Sequence, residues 1–425
     1  MDEATDTDGA AEAASDKTAD PIDDRASGDF DFFSPAFRTD PHAEYERMRT
    51  ECPIAHATEP FDWYAATTEA TVKQIIRKPK LWSSKHGPGL AYSGGGVLVS
   101  VDPPQHTSDR RLVQQAFNAD ALLALEPDIR TLVDHEIDTF VDRGEGDLQE
   151  LLGTPVPLIV IAWLLGLDPD YCREIRPRAD AVIARHADKQ SAKESTSDPN
   201  RVDEVTYFGE MIGTRRQMLA AGEELPDDTL TALLTAELDG RVLTDADVLG
   251  FMMFLFIAGS QTTTQLIGNM VWRLLQNPEQ MELLRNDRSL IPHAVEESLR
   301  YDAPVHGLFR TNNEETELEG VTLPADSKVM CTFFAANMDP AAWDDPHTFD
   351  ITRDLDTLKK HWAFGKGIHL CMGAPLSRVE GAVALEAILD RLPNLRLTGE
   401  PTMISAPVLH GVEKLPVAWD APQAD

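Results

Sequence analysis

A ten-residue stretch near the C-terminal end, FGKGIHLCMG at residues 364–373, constrains the fold of this chain more than any other feature. It places three glycines around one cysteine, Cys371, and glycine permits left-handed backbone torsions and the close approach of a bulky planar group. The flanking residues predict a strand, a tight loop and then a helix, whose positive end would stabilise a thiolate. A lone cysteine is also commonly a small buried hydrophobic residue, so this loop alone leaves both interpretations open.

Composition narrows the class of protein. Cys52, Cys172 and Cys331 are scattered without paired spacing, so the sequence indicates neither a zinc site nor a disulfide framework. The formal net charge of −34 excludes a nucleic-acid partner, which requires a basic surface. No apolar run reaches the roughly 20 residues of a membrane span, and the N-terminal region is acidic. We therefore expect a cytoplasmic protein without membrane contact, and a monomer.

The charge balance also predicts an unusual surface. The chain has 72 acidic and 38 basic residues, and only 12 of the basic residues are lysines. We interpret this as adaptation to a high-salt cytoplasm, where short Debye lengths screen the repulsion between like charges. An ordinary acidic protein is the alternative. Stability that does not change between dilute buffer and molar KCl would contradict the high-salt interpretation.

The chain divides by composition into a tail and one large domain. Residues 1–29 carry ten acidic and two basic residues and are predicted to be disordered, and a single domain is expected over 30–425. The Gly- and Ser-rich segment 83–100 and the polar break 188–200 are predicted to be flexible covers. Apolar spacing predicts helices at 41–49, 68–78, 112–142, 155–166, 171–187 and 201–221, and short strands at 61–66, 97–101, 318–334 and 395–419.

A long apolar helix is expected from the capping box that begins at Thr244 to about Gln276. Its middle reads AGSQTTT at 258–264, which places small and polar residues inside an otherwise apolar helix. Gly259 there would let another group approach the backbone. A helix end or kink facing solvent is the alternative, but apolar residues continue beyond the segment.

Two charged pairs have helical spacing. Glu297 and Arg300 are three residues apart, and His106 and Arg110 are four apart after a pair of prolines, so each pair lies on one helix face. A His/Arg pair on one face suits the binding of two carboxylates. Taken singly, each pair is more commonly an exposed surface pair of little energetic value.

Together these motifs resemble those of the cytochromes P450, in the same order along the chain and from about residue 30 to 419. The resemblance implies a mainly α fold with a smaller β region, in which a helix-rich lobe with a long central helix adjoins a small β-sheet lobe. It also implies haem b as cofactor, with Cys371 as the axial ligand of the iron.

The resemblance assigns roles to the other motif residues. Thr262 would steady iron-bound dioxygen and relay protons, and Glu297 with Arg300 would form a buried pair that braces the core. The residues expected to hold the haem propionates are His106, Arg110, Arg310 and His369. The other residues expected to contact the cofactor are Ala258, Gly259, Ala363, Phe364, Gly365, Leu370 and Gly373.

Two positions depart from the family pattern. Gln261 stands where most members have an acid, and an amide orients water but cannot ionise to supply a proton. The sequence therefore predicts slower or leakier oxygen activation. Thr348 stands where many members have an arginine that joins the Glu297/Arg300 pair, and whether His347 substitutes for it is left open.

The activity implied by the resemblance is monooxygenation with O2, and electrons would come from a separate ferredoxin and its reductase because the chain has no flavin or iron–sulfur module. Lys359, Lys360 and Lys366 flank the ligand loop and are candidates for a docking patch for an acidic ferredoxin. Solubilising surface lysines are the alternative. A peroxygenase that uses hydrogen peroxide and a non-catalytic haem sensor remain as rival functions.

A hydrophobic small-molecule substrate is expected, such as a terpenoid, a steroid or a fatty acyl chain. Each residue proposed for the pocket wall has ordinary core lining as its alternative role. The proposed wall residues are Met253, Phe256, Ile257, Val305, Leu308, Phe309 and Ile404, with His306 as a polar anchor.

Overall fold

The computed structural model describes residues 31–34, 37, 40–59, 61–90, 96–117, 119–174, 201–404 and 408–422. The predicted disordered tail, the polar break 188–200 and most of the helix expected at 171–187 lie outside these residues. The helices described are α1 (Pro41–Glu51), α2 (Glu69–Ile76), α3 (Gln105–Ala116), α4 (Ala119–Leu123), α5 (Glu126–Asp138), α6 (Pro155–Leu165), α7 (Arg201–Ala221), α8 (Thr229–Thr235), α9 (Asp245–Gln276), α10 (Pro278–Asn286), α11 (Ile291–Tyr301), α12 (Phe333–Asn337), α13 (Leu355–Leu358) and α14 (Ala374–Arg391).

The described strands are short, and eight of the fourteen lie at least partly within three of the four segments where the sequence predicts strands. They are β1 (Ile54–Ala57), β2 (Trp63–Ala66), β3 (Trp82–Ser83), β4 (Glu145–Asp147), β5 (Glu237–Leu238), β6 (Arg241–Val242), β7 (Leu308–Asn312), β8 (Thr316–Leu318), β9 (Val321–Leu323), β10 (Lys328–Cys331), β11 (Arg396–Leu397), β12 (Thr402–Met403), β13 (Val412–Lys414) and β14 (Pro416–Ala418). The prediction of a mainly α chain with a smaller β region is confirmed.

The largest sheet has the strand order β1-β2-β10-β7-β3. Its β2 and β10 strands are parallel, and the other neighbours are antiparallel. Arg310 on β7 lies opposite Val329 on β10, so strand pairing in the middle of the sheet fixes the backbone position of this arginine. A second sheet, β11-β14-β4, joins the C-terminal strands to the strand that precedes α6.

The 32-residue helix α9 runs through the middle of the helical lobe. Its predicted capping box is confirmed: Asp247 N–H donates to Thr244 Oγ1, and Thr244 N–H donates to Asp247 Oδ2. The helix packs against α6, α7, α11 and α14. It is also long and apolar enough to cross a membrane by length and composition. Its contacts with four other helices identify it as the core helix of the lobe.

Two local predictions differ from the structure. Residues 97–101 are not a strand, because Leu98–Ser100 form a turn of 3-10 helix and Leu98 has a φ of 45°. The helical region 112–142 is divided into α3, α4 and α5. One division follows Phe117, whose non-helical torsions end α3. The next precedes Pro127, which lies in the first turn of α5, where the missing N–H of proline costs no hydrogen bond.

Candidate functional site

The loop 364–373 is closed by its own backbone. The Cys371 N–H donates to the carbonyl oxygen of Phe364 over 3.0 Å. Gly365 and Gly367 have φ values of 62° and 71°, torsions that disfavour other residues. A Cβ on Gly367 would also lie 3.1 Å from a methyl carbon of Ile76. The glycines therefore let the chain turn sharply and deliver Cys371 three residues before α14 begins.

The Cys371 thiol faces an internal cavity, whereas the other three cysteines are buried elsewhere. Burial inside the protein raises the pKa of this thiol. Hydrogen bonds from the backbone N–H groups of Gly373 and Ala374, with the positive charges of Arg110 and Arg378, oppose that rise. The helix N-terminus and the two guanidinium groups thus favour a thiolate. A metal cation facing the sulfur would complete this stabilisation.

The cavity has a volume of about 320 Å³ and lies between this loop and α9. All of the predicted cofactor contacts border it, which means that residues far apart in sequence converge on one site. These are His106, Arg110, Ala258, Gly259, Arg310, Ala363, Phe364, Gly365, His369, Leu370, Cys371 and Gly373, and Thr262 joins them from α9.

Nitrogen donors cluster along one side of this cavity. The rings of His106 and His369 have centroids 4.2 Å apart, and His369 Nε2 lies 3.1 Å from Ser84 Oγ. Arg110 donates through Nη2 to the Leu370 carbonyl oxygen over 2.7 Å. Burial and the neighbouring cations lower the pKa of His369 to about 2, so its ring is neutral. Sequence reasoning missed Ser84, because no motif marks it.

These donors have few acceptors within the protein. In the part of the chain that the structure describes, no carboxylate forms an ion pair with Arg110 or Arg310, and the buried Nε2 of His106 has no hydrogen-bond partner. Buried cations and donors without acceptors are costly. The cluster therefore fits a ligand that carries anionic groups on this edge.

The Glu297/Arg300 pair is fully buried and bidentate. Arg300 Nε and Nη2 donate to the two Glu297 oxygens over 2.6 and 2.7 Å. Arg300 also donates to the carbonyl oxygens of Pro346 and Thr348. The third charged partner is Arg353, whose Nε lies 3.4 Å from Glu297 Oε1. Arg353 lies five positions after Thr348, where the family pattern places an arginine, which is why the sequence did not reveal it.

His347 does not take the place of that arginine. Its side chain is 41% exposed and lies 3.9 Å from the carboxylate of Glu46, on the surface. Its carbonyl oxygen accepts a hydrogen bond from the Tyr301 hydroxyl. The question left open by the sequence is thereby answered in favour of Arg353.

In the polar segment 258–264 of α9, Thr262 and Thr263 face the cavity and Gln261 does not. Thr262 lines the cavity, and its hydroxyl donates to the Ala258 carbonyl oxygen over 2.8 Å. Gln261 is buried but is not among the residues that line the cavity. Thr263 lines it instead, and its hydroxyl lies 3.0 Å from that of Ser377 on α14.

Gly259 borders the cavity, but the group that approaches its backbone belongs to the protein. A Cβ at this position would lie 2.7 Å from Cδ1 and 2.9 Å from Cγ1 of Ile161 on α6. The absence of a side chain therefore lets α6 and α9 pack closely. The group predicted to approach the backbone here is thus a side chain of the protein, while Gly259 itself borders the cavity as predicted for a cofactor contact.

A buried carboxyl group that the sequence did not single out also borders the cavity. Glu380 on α14 is 2% exposed, and its Oε2 has no hydrogen-bond partner among the described residues. Burial raises the pKa of Glu380 to about 8. The group is therefore largely protonated at neutral pH and carries a proton inside the protein.

The apolar wall differs from the prediction. Val305 and Leu308 line the cavity, whereas the other proposed wall residues do not; these are Met253, Phe256, Ile257, His306, Phe309 and Ile404. On α9 the cavity face follows helical spacing through Phe254, Leu255, Ala258, Gly259, Thr262, Thr263 and Leu266, so their neighbours point elsewhere.

Phe309 and His306 point away from the cavity for different reasons. Side chains alternate along a strand, so Leu308 and Arg310 on β7 face the cavity while Phe309 packs on the opposite side against Trp63. His306 is enclosed by aromatic rings, with Phe37 and Phe334 at centroid distances of 5.2 and 5.1 Å. It is part of the core beside α1.

Comparison with known proteins agrees with this geometry. The Cytochrome P450 family model matches residues 200–402. Cytochrome P450 107B1 from Saccharopolyspora erythraea is 35% identical over 406 residues, which cover 91% of this chain and 96% of that protein. The chain belongs to the cytochrome P450 family. The monooxygenase PikC from Streptomyces venezuelae, another P450, is 33% identical over 90% of this chain and 92% of its own length.

The architecture of this P450 is also shared with solved members of the family. CYP109E1 from Bacillus megaterium, in complex with testosterone, superposes with a TM-score of 0.82 at 29% identity and covers 91% of this chain and 100% of its own. The protein is accordingly a haem-thiolate oxidoreductase of the P450 monooxygenase class with haem b as cofactor. The described cavity fits that cofactor, since one thiol faces it and nitrogen donors without carboxylate partners line one edge.

Proposed function

We propose that this P450 inserts one oxygen atom of O2 into a C–H bond of an apolar small molecule. The observation that carries the proposal is the placement of Cys371 on one wall of a single cavity and of Thr262 on the α9 wall. Haem bound there through the Cys371 thiolate would supply oxygen activation. The protein would contribute orientation, exclusion of water and the movement of protons.

The nitrogen donors on the cavity edge are proposed to hold the two haem propionates. Arg110 and Arg310 supply charge, and His106 and His369 supply N–H groups. The unsatisfied Nε2 of His106 supports this role. The Arg110 bond to the Leu370 carbonyl oxygen would couple the propionate edge to the thiolate loop.

Thr262 is proposed to act through its hydroxyl. In the structure this hydroxyl donates to the Ala258 carbonyl oxygen, and while it keeps that bond it would accept a hydrogen bond from a water molecule on the cavity side. Gln261 cannot ionise, so protons must reach the cavity through other groups.

The test begins with spectroscopy and continues with turnover. The reduced carbon monoxide complex of the wild-type enzyme is expected to show a strongly red-shifted Soret band, and Cys371→Ser is expected to lose it. Product should form with NAD(P)H, a ferredoxin and its reductase. Absence of the red-shifted band in the wild type would contradict the thiolate assignment.

Hydrogen peroxide alone is the comparison that separates the rival activity. The non-ionisable Gln261 keeps a peroxygenase as the rival activity, in which peroxide supplies both the oxygen atom and the electrons, although Thr262 suits O2 chemistry. Product with peroxide and none with the electron-transfer chain would establish that alternative. Haem binding without product from either source would indicate a sensor.

A ferredoxin is proposed as the electron donor. A surface depression of about 670 Å³ lies on the side of Cys371 away from α9, and four cationic side chains line it: Arg110, Lys359, Lys366 and Arg378. Lys360 does not border the depression. Positive charge around a depression that Cys371 also lines suits an acidic partner, because the chain as a whole has a net charge of −34 and such a patch stands out on it.

Charge reversal tests this proposal. Lys359→Glu is expected to raise the apparent KM for ferredoxin several-fold, with an effect that diminishes at high salt. Lys414→Glu, at an exposed position on β13, is the matched control and should change little. Equal behaviour of the two variants would indicate that these lysines serve only solubility.

The substrate is proposed to be hydrophobic, in a protein of the cytoplasm. The wall beside Thr262 is formed by apolar side chains, among them Ile161, Leu255, Val305 and Leu308. The testosterone bound by CYP109E1 supports a steroid-like or terpenoid-like molecule. Ligand-induced spectral shifts of the haem with a panel of steroids, terpenoids and fatty acids measure this preference, and tight binding of polar compounds alone would contradict it.

A further inference from the structure

A buried lysine binds the segment 84–90, which contributes Pro88 to the cavity wall. Lys328 is the first residue of β10 and is completely buried. Its Nζ donates to the carbonyl oxygens of His86 over 2.8 Å, Gly87 over 3.2 Å and Gly89 over 2.8 Å. One ammonium group thus binds three acceptors within four consecutive residues.

This arrangement is specific for a charged donor. Burying an ammonium group is unfavourable unless hydrogen bonds compensate for the lost water, so an apolar side chain would be the default at such a position. Burial and the nearby Arg310 lower the pKa of Lys328 to about 8, and the charged form still predominates at neutral pH. Because three carbonyl oxygens accept hydrogen bonds from one ammonium group, the backbone of residues 86–89 is held in one position.

The residue at the centre of the bound segment is Pro88. It lines the cavity, and the carbonyl groups before and after it are both bound to Lys328. Its own carbonyl oxygen accepts the N–H of Phe309 over 2.9 Å. Pro88 is therefore held in register with β7, whose Leu308 and Arg310 line the same cavity.

The other end of the segment is also fixed to the site. Asp102 Oδ1 accepts the Ser84 N–H over 2.7 Å, and the Ser84 hydroxyl lies beside His369. Between this anchor and the described end of the segment at Leu90 there is no regular secondary structure. The position of Pro88 thus depends on the three Lys328 bonds to its neighbours together with the main-chain bond from Phe309, because the segment has no regular secondary structure of its own.

We propose that Lys328 is a positioning residue for substrate selectivity, which acts by holding Pro88 in the cavity wall. The inference rests on the proposed function, since it takes the cavity to be where the apolar substrate binds. Loss of the ammonium group would release the segment, enlarge the cavity at Pro88 and weaken the discrimination between ligands of different width.

The test compares Lys328→Met with Lys85→Met. Methionine has a similar length to lysine but no donor, and Lys85 lies in the same segment with its Nζ on the exposed side, 3.2 Å from Asn313 Oδ1. In Lys328→Met, hydrogen exchange at Gly87 and Gly89 is expected to be about tenfold faster. The ratio of dissociation constants for a broad steroid and a slender fatty acid, from haem spectral titrations, should shift about fivefold. Lys85→Met should match the wild type.

Each outcome has one meaning. A red-shifted carbon monoxide band in Lys328→Met shows that the haem site is intact, and its absence in the wild type would overturn the proposed function instead of this inference. Unchanged exchange, or faster exchange with an unchanged ligand ratio, would overturn the role of Lys328. If Lys328→Met does not fold, Pro88→Ala with Lys328 retained serves as the second variant, and an unchanged ligand ratio there has the same contrary meaning.

Discussion

Arg353 Nε lies 3.4 Å from Oε1 of Glu297, so the buried carboxylate is shared between this guanidinium group and that of Arg300. Arg353 also donates to the carbonyl oxygens of Asp344, Asp345 and Thr348. It therefore ties the segment before the thiolate loop to α11. A single side chain thus connects the buried charge pair to three carbonyl oxygens elsewhere in the chain.

We expect Arg353→Met to lower the free energy of unfolding by about 1–3 kcal/mol, because several carbonyl acceptors and part of a buried charge lose a donor. Chemical denaturation of the haem-loaded enzyme measures this. The control is Arg396→Met, whose ion pair with Asp420 is more than half exposed on both sides and should contribute little. Comparable losses in the two variants would contradict the role of Arg353.

Glu380 predicts a distinctive pH dependence of stability. Burial raises the pKa of its carboxyl group to about 8 in the folded protein, so the folded state keeps a proton that the unfolded state releases near its ordinary pKa of about 4.3. The stabilisation from the protonated form is complete below the unfolded value and is lost as the pH rises through about 8.

The Glu380→Gln variant should show a smaller decrease in unfolding free energy between about pH 5 and about pH 8 than the wild type, by up to about 1.4 kcal/mol per pH unit. Glu386→Gln is the matched change on the same helix, because Glu386 is paired at the surface with Arg130, and it should keep the wild-type slope. Parallel pH profiles for wild type and Glu380→Gln would show that the carboxyl group is not buried as described.

Gln261→Glu restores an ionisable group to α9 beside Thr262. We expect the ratio of hydrogen peroxide released to product formed to fall, since a carboxyl group can supply protons that an amide cannot. Peroxide and product are measured in the same turnover with ferredoxin and reductase. The isosteric change Thr262→Val removes the hydroxyl and should raise the ratio of peroxide to product. An equal ratio in Gln261→Glu and the wild type would count against a role for position 261.

Gly259→Ala is expected to destabilise the protein by about 1–3 kcal/mol, because the new Cβ would overlap Ile161. Combining it with Ile161→Ala, which removes both overlapping carbons, should recover part of that loss in a double-mutant cycle of unfolding free energies. Gly213→Ala on α7 has open space around its Cβ and should be neutral or stabilising. Additive losses in the cycle would mean that Ile161 is not the obstructing group.

The sequence predicted features whose residues lie close together along the chain. It missed residues that only the fold brings together, and it did not show which side chains face the cavity. The thiolate loop and the Glu297/Arg300 pair lie within short motifs, so residue type and spacing identify them. Arg353 and Glu380 lie outside those motifs, and only the fold brings them to the charge pair and to the cavity. The proposed wall contained both Leu308 and Phe309, yet strand alternation allows only one of two neighbours to face the cavity.

The main-chain bond between Cys371 and Phe364 has a further consequence for cofactor uptake. Because this bond and the glycine torsions already give the loop its shape, little conformational entropy remains to be lost when the sulfur engages an iron centre. The entropy cost of ordering the loop is therefore met during folding and does not reduce the affinity for the cofactor. A substitution that loosens the loop would therefore weaken haem retention even if every atom that touches the haem were unchanged.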